Sequence, residues 1–257
     1  MITDEQLLRY SRHILLDELD VTGQEAILAG RVLVIGAGGL AHPALSYLVS
    51  SGVQHITIVD DDRIELSNLS RQFWFTDSDV GQHKVLVLSK RLHQLNPQAQ
   101  IQPVVARANA LLLQQLIESV DLVLDCTDNY FSRSLINRVC LQLHKPLISA
   151  SALVFSGQLA VYDFRHGQGP CYQCLFNGEI NDQAASCAKH GVFSPLLGMM
   201  GSAQASEALQ LLAGIHPDGC WLHHFDARHF QWQKLRLSAN PSCTVCSKKA
   251  LSTDNSG

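Results

Sequence analysis

The sequence is poor in charge: Asp, Glu, Lys and Arg make up 16% of its 257 residues, against roughly 25% in an average globular domain. Disordered chains and coiled coils need far more, so both are excluded. So thin a charged coat implies extensive contact surface. Nor does one sign dominate. Nineteen Lys and Arg against 23 Asp and Glu leave a formal net charge of −4, which argues against a general binder of nucleic acid or anionic membranes. No uninterrupted apolar stretch approaches the roughly 18 residues of a membrane span. Met1–Asp20 is mixed and charged, without a basic segment leading into an apolar one. A soluble, cytoplasmic protein with no membrane or nucleic-acid partner is expected. Internal repeats and Pro/Gly/Ser linkers are missing too, apart from a polar tail at Ser252–Gly257. One continuous domain over residues 1–257 is therefore expected, long enough to bury a sizeable core without disulfide staples.

What is present alternates. Arg31–Ile35 (RVLVI) reads as a buried strand, followed by a glycine cluster and a helical stretch, Pro43–Ser50. His55–Val59 is a second strand, and Gln82–Leu95 is a helix stopping before Asn96-Pro97. Ile101–Ala106, Leu122–Leu124 and a segment starting at Pro146–Ser149 read as strands, separated by helices at Ala110–Glu118 and Ser132–Leu143. This rhythm predicts an α/β fold with a Rossmann-like, mostly parallel sheet and helices on both faces. Past residue 150, Gly157–Tyr162, Trp221–Asp226 and Trp232–Leu237 look like strands without helices between them, so antiparallel strands should extend the sheet. The helical stretch Pro195–Ala213 carries Gly198, Gly201, Ser202, Ala203 and Ala205, which would let a neighbour approach closely. Residues 31–150 form the expected nucleotide-binding half and 151–250 the second half, with a polar loop at Asn177–His190.

Gly36-Ala37-Gly38-Gly39-Leu40-Ala41 follows the first strand and opens a helix, the setting that the GxGxxG/A fingerprint requires. Glycines let the backbone turn sharply and approach a phosphate, and the helix N-terminus offers unpaired N–H groups. Asp60 ends the second strand, where an acid can hold ribose hydroxyls. These features do not separate a nicotinamide cofactor from ATP. A triphosphate carries more charge and needs cations, which Arg71 and Lys84 could supply. Asp125-Cys126-Thr127-Asp128-Asn129 ends a later strand, and a carboxylate there could hold Mg²⁺. Taken singly, Arg71 and Lys84 read equally well as solvated charges and Asp128 as a helix N-cap.

Eight cysteines in a reducing compartment need an explanation other than disulfides. Cys171/Cys174 and Cys243/Cys246 form two CxxC pairs, suited to a closed tetrahedral zinc site; a dithiol redox motif is the competitor. Cys126, Cys140 and Cys220 sit in apolar or helical patterns and read as packing residues. Cys187, flanked by Lys189 and His190, reads either as a reactive thiol or as a small apolar filler. No HxxxH pair accompanies the 12 histidines, and His223-His224 reads as strand alternation.

Together, Gly36–Leu40, Asp60, Ser67-Asn68-Leu69-Ser70-Arg71-Gln72, Lys84, Asp125–Asn129 and the two CxxC pairs resemble the ThiF/MoeB family of ubiquitin-activating-type adenylyltransferases. The resemblance runs from Leu8-Arg9-Tyr10-Ser11-Arg12 to Cys246, in the family's order and approximate spacing; Ala41 stands where the family commonly has a third glycine. It implies that Gly39, Asp60, Ser67, Asn68, Leu69, Ser70, Arg71, Lys84, Asp128 and Asn129 bind ATP or its Mg²⁺, and the glycine fingerprint adds Gly36 and Gly38 to the nucleotide-binding set. It further implies that Arg12 reaches into the partner's site in a homodimer, and that zinc on Cys171, Cys174, Cys243 and Cys246 ties down the tail. Arg71, Lys84, Asp128, Arg12 and Cys187 form the implied catalytic set, with Cys187 able to link covalently to the carrier in ThiF-type members. The implied substrate is a ubiquitin-like sulfur carrier ending in Gly-Gly, ThiS-like in thiamine or MoaD-like in molybdenum cofactor biosynthesis. Leu147–Ala152 and Gln231-Trp232 look more ThiF-like, whereas Asp79–Lys84 looks more like MoeB. No rhodanese-like domain follows Cys246, so a separate sulfur donor is expected. Two rivals are an NAD-dependent oxidoreductase, resting on the glycine loop and Asp60 alone, and a non-catalytic zinc-stapled scaffold that binds a carrier.

Overall fold

A computed structural model describes residues 2–165, 169–176 and 191–247. It opens with three helices that the sequence pattern did not reveal: α1 (Asp4–Arg9), α2 (Ser11–Ile14) and α3 (Asp20–Ala29). A capping box between Thr3 and Gln6 starts α1. Then β1 (Arg31–Ile35), α4 (Ala41–Ser50), β2 (His55–Val59), α5 (Lys84–Leu95), β3 (Gln100–Val104), α6 (Ala110–Glu118), β4 (Leu122–Asp125), α7 (Tyr130–Gln142) and β5 (Leu147–Leu153) alternate. β6 (Ser156–Tyr162), a short α8 (Tyr172–Leu175), α9 (Ser194–Ala213), β7 (Trp221–Asp226) and β8 (Gln231–Arg236) complete the described chain.

The strands form one sheet in the order β3-β2-β1-β4-β5-β6-β7-β8. β1 to β5 pair in parallel and the last three strands antiparallel. Parallel strands covered on both faces must be apolar throughout, and β4 is buried at all four positions. In β1, Val32 and Val34 face a core built with α4, α5 and α9, while Leu33 and Ile35 face one built with α6, α7 and the segment holding Cys171 and Cys243. β3 tolerates Pro103 because it is an edge strand. β8, the other edge, is exposed along its whole length.

Small residues on α9 work as expected at one glycine. A Cβ on Gly201 would press on the Leu40 carbonyl and the Pro43 ring, so α9 lies directly against α4. At Gly198 nothing among the described residues lies within 4 Å of that position. Among the described residues, no helix is long and apolar enough to cross a membrane.

Candidate nucleotide site and cysteine cluster

The C-terminal ends of the parallel strands open into a cavity of about 850 Å³, where ligands sit in sheets of this topology. Gly36, Gly38, Gly39, Asp60, Ser67, Asn68, Ser70, Arg71, Lys84, Asp128 and Asn129 all line it, brought together from five separate segments. Two expected residues do not. Leu69 packs against the hydrophobic core, and Arg12 is exposed on α2, outside the lining of its own chain's cavity. Cys187 lies outside the described residues.

Gly36 has φ +97°, and a Cβ there would sit 2.7 Å from the Cys126 carbonyl oxygen, so only glycine fits between β1 and β4. The Ala37 N–H donates to Asp60 Oδ2 at 2.7 Å and the Asp62 N–H to Oδ1 at 2.8 Å. Asp60 thus fastens the glycine loop to the end of β2, and each oxygen keeps a further lone pair for a ligand. Burial raises its pKa, opposed by the Ala37 N–H and the Lys84 charge.

Lys84 is no solvated surface charge. It is buried as the first residue of α5, with Nζ 2.6 Å from Asp62 Oδ2 and its N–H donating to the Asp62 carbonyl. Arg71 is half-buried, and one N–H of its guanidinium donates to the Ser67 carbonyl at 2.8 Å. Five N–H groups leave it capacity for phosphate oxygens. Asp128 is not the helix cap. Asn129 Oδ1 accepts the Ser132 N–H at 2.9 Å and caps α7. Among the described residues Asp128 has no hydrogen-bond or ion-pair partner, and it stands exposed at the cavity.

Residues outside the expected ATP-binding set support this arrangement. The fully buried Asp125 carboxylate accepts from the Thr127 N–H (3.0 Å), the Thr127 hydroxyl (2.7 Å) and the Ser149 hydroxyl (2.8 Å). Arg133 stands beside it, its Nε 3.9 Å from Asp125 Oδ2, and its Nη2 donates to the Thr127 carbonyl at 2.6 Å. Gln204 on α9 donates to the Asp125 carbonyl at 3.0 Å. Gln72 is buried over the glycine loop, with Oε1 unpaired among the described residues.

Across the sheet, the Sγ atoms of Cys171, Cys174, Cys243 and Cys246 lie within 4.8 Å of one another. Neighbouring sulfurs are 3.3, 3.7 and 4.0 Å apart. Zinc–sulfur bonds of about 2.3 Å in a tetrahedron place sulfurs about 3.8 Å apart, so the donor set fits that ion. Backbone N–H groups of Cys171 and Asn240 donate to Cys174 Sγ, and that of Val245 to Cys243 Sγ, an outer shell that favours thiolates. Burial pushes the Cys171 thiol up to about 12, with Cys174 and Cys243 adding to it, so ionising the four together calls for a cation. The packing thiols behave as expected. Cys126 and Cys140 are buried, and Cys220 Sγ donates to the Val161 carbonyl. His223 and His224 sit on successive positions of β7.

A model of the ThiF family matches residues 10–245. The chain belongs to the ThiF family. It is 42% identical over 245 residues to the sulfur carrier protein ThiS adenylyltransferase of Escherichia coli K12, covering 95% of this chain and 97% of that one. It is 41% identical over 246 residues to the molybdopterin-synthase adenylyltransferase of the same organism, covering 95% and 98%. The crystal structure of E. coli MccB with ATP superposes with a TM-score of 0.79 at 22% identity, over 93% of this chain and 74% of that one, a likeness of fold. Membership leaves the nicotinamide reading, which had only the glycine loop and Asp60, without support.

Proposed function

We propose that this chain is an adenylyltransferase that activates the C-terminal glycine of a ubiquitin-like sulfur carrier at the expense of ATP. The observation that carries the reading is the meeting of the glycine loop, Arg71, Lys84 and an Asp128 without a partner among the described residues in one cavity, in a chain 41–42% identical to two enzymes named for this activity. The carrier's terminal carboxylate is ionised at neutral pH and needs no base. It attacks the α-phosphorus of ATP; a P–O bond to the acyl oxygen forms, the bond to pyrophosphate breaks, and the acyl-adenylate remains. Such a step needs positioning and charge neutralisation above all.

This chain's residues divide that work. The loop Gly36–Leu40 and the first turn of α4 meet the phosphates with backbone N–H groups, and Asp60 keeps that loop in place. Arg71 and Lys84 offset the charge on the phosphate oxygens, and Ser67, Asn68, Ser70 and Asn129 complete the polar wall. Mg²⁺ bound through the Asp128 carboxylate would neutralise further phosphate charge. Arg12, exposed on α2, would complete the nucleotide site of a second copy in a homodimer. Zinc on the four cysteines would pin residues 240–246 to α8 and stabilise the fold directly. In this reading Cys187 acts after adenylylation, when sulfur arrives from a separate donor, and the protein works in the cytoplasm.

Incubation with ATP, Mg²⁺ and either a ThiS-like or a MoaD-like carrier, followed by intact mass measurement of the carrier, tests the proposal. An AMP adduct is expected on one carrier with its Gly-Gly end intact and on none truncated by its last glycine. Folded, zinc-loaded protein that modifies neither carrier would overturn it in favour of the scaffold reading.

A further inference from the structure

His42 is fully buried in the first turn of α4, directly behind the glycine loop. Its Nδ1 accepts the Trp74 backbone N–H at 3.1 Å. An amide N–H only donates, so Nδ1 carries no proton and the ring is the neutral Nε2–H tautomer. Burial, followed by the nearby Lys84 charge, lowers the imidazole to about 3, against a weaker pull from the Ala37 backbone. The arrangement closes on itself. The Trp74 indole N–H donates to Ser46 Oγ at 2.8 Å, and the Ser46 hydroxyl donates to the His42 carbonyl at 2.6 Å. Phe73 and Phe75 meet the imidazole edge-on, with ring centres 5.4 and 4.6 Å away.

The segment held in this way begins with the cavity's own residues. The Arg71 and Gln72 N–H groups both donate to the Asn68 carbonyl, at 3.0 and 2.9 Å, and the Phe75 N–H donates to the Gln72 carbonyl at 3.0 Å. Residues 68–75 are thus a chain of tight turns, and His42 joins them to the helix that follows the phosphate loop. Meanwhile, among the described residues, His42 Nε2 has no well-formed hydrogen bond. A buried donor left with only an imperfect contact to the Ala37 backbone costs stability, which an apolar side chain of similar size would avoid. Packing alone therefore does not account for a histidine here.

We infer that His42 is a positioning residue for the nucleotide: by holding the Trp74 amide it sets where Arg71 and Gln72 meet the phosphates relative to the glycine loop. The inference rests on the adenylyltransferase reading for its ligand, ATP. Its distinctive consequence is that His42 acts through Arg71, so the two must be coupled energetically.

Calorimetric Kd values for MgATP on the zinc-loaded protein test this. His42→Leu keeps the bulk and removes the acceptor, and should weaken ATP about tenfold or more, since a small misplacement of a contact is costly. His42→Asn places Oδ1 where Nδ1 stood and should stay within about threefold of wild type. In an Arg71→Ala background, His42→Leu should change the Kd less than about twofold. Should His42→Leu fail to fold, Ser46→Ala opens the same ring from its half-buried side; it should weaken ATP about threefold, again only while Arg71 is present. Wild-type affinity in both His42→Leu and Ser46→Ala, or a loss that adds in full to that of Arg71→Ala, would overturn the inference. Wild type that binds ATP but adenylylates neither carrier contradicts the proposed function and leaves the His42–Arg71 coupling readable; wild type that binds no ATP overturns both.

Discussion

Removing the Asp125 carboxylate should separate the site's architecture from its chemistry. Its oxygens accept from the Thr127 N–H, the Thr127 hydroxyl and the Ser149 hydroxyl, and Arg133 stands 3.9 Å away. Asp125→Ala leaves those three donors without their acceptor and the guanidinium without its counter-charge. Breaking one side of a buried ionic pair costs about 3–5 kcal/mol. The two hydroxyls can rotate toward other acceptors, which favours the middle of that range, about 4 kcal/mol. At roughly 2 °C per kcal/mol for a chain of this size, the Tm should fall by about 8 °C. Ser149→Ala removes a single hydrogen bond and should cost about 1 kcal/mol, or roughly 2 °C. Asp125 also fixes the loop that presents Asp128, so Asp125→Ala should lower carrier adenylylation by about 100-fold at a temperature where the variant is fully folded. Scanning calorimetry and single-turnover adenylylation read the two effects separately. A Tm loss no larger than that of Ser149→Ala would refute the energetic argument, and full activity in the folded variant would refute the positioning one.

Three other predictions probe separate parts of the molecule. Metal analysis should find one zinc per chain, and Cys246→Ser should keep less than about a tenth of it; full zinc in that variant would remove the cysteine cluster as its site. Asp128→Ala should lower adenylylation by about 1000-fold or more while zinc content and Tm stay unchanged; unchanged turnover would contradict the proposed Mg²⁺ role. For Asp79, burial raises the carboxyl, but the Thr76 N–H and hydroxyl and Arg91 outweigh it and hold its pKa below the ordinary value. A depressed folded-state pKa gives stability that is complete above the unfolded value of about 3.9 and fades as pH falls toward the folded one. Asp79→Asn should therefore lower the urea midpoint at pH 6 and approach wild type near pH 3; a pH-independent difference would argue against it.

The central strands were legible because parallel strands buried on both faces must be apolar throughout, and RVLVI and HITIV are read to the residue as β1 and β2. The N-terminal helices were not. Two have six residues or fewer, and α3 buries Gly23 and Gln24 along with Ile27 and Leu28, which blurs its apolar period. At the site, the glycine loop, Arg71, Lys84 and Asp128 carried recognisable chemistry and spacing. Which of two adjacent caps would serve α7 could not be read, since Asp and Asn both cap well; the geometry that reaches the Ser132 N–H belongs to Asn129. The supporting roles of Asp125, Gln204 and His42 were hidden for a different reason. Their partners Ser149, Cys126 and Trp74 come from other elements, so no local spacing announces them. Leu69 sits inside the matching run yet packs on the core, because a turn that presents Asn68 and Ser70 to a cavity turns its middle residue inward.

The central claim is that the cavity at the ends of the parallel strands transfers AMP to a carrier's terminal carboxylate. ATP–pyrophosphate exchange, with ThiS-like and MoaD-like carriers side by side, tests it most directly because it reads the reversible first step without any sulfur donor. The account predicts exchange that requires one carrier with its final glycine intact and that disappears in Asp128→Ala. No exchange with either carrier, from folded and zinc-loaded protein that binds ATP, would contradict it.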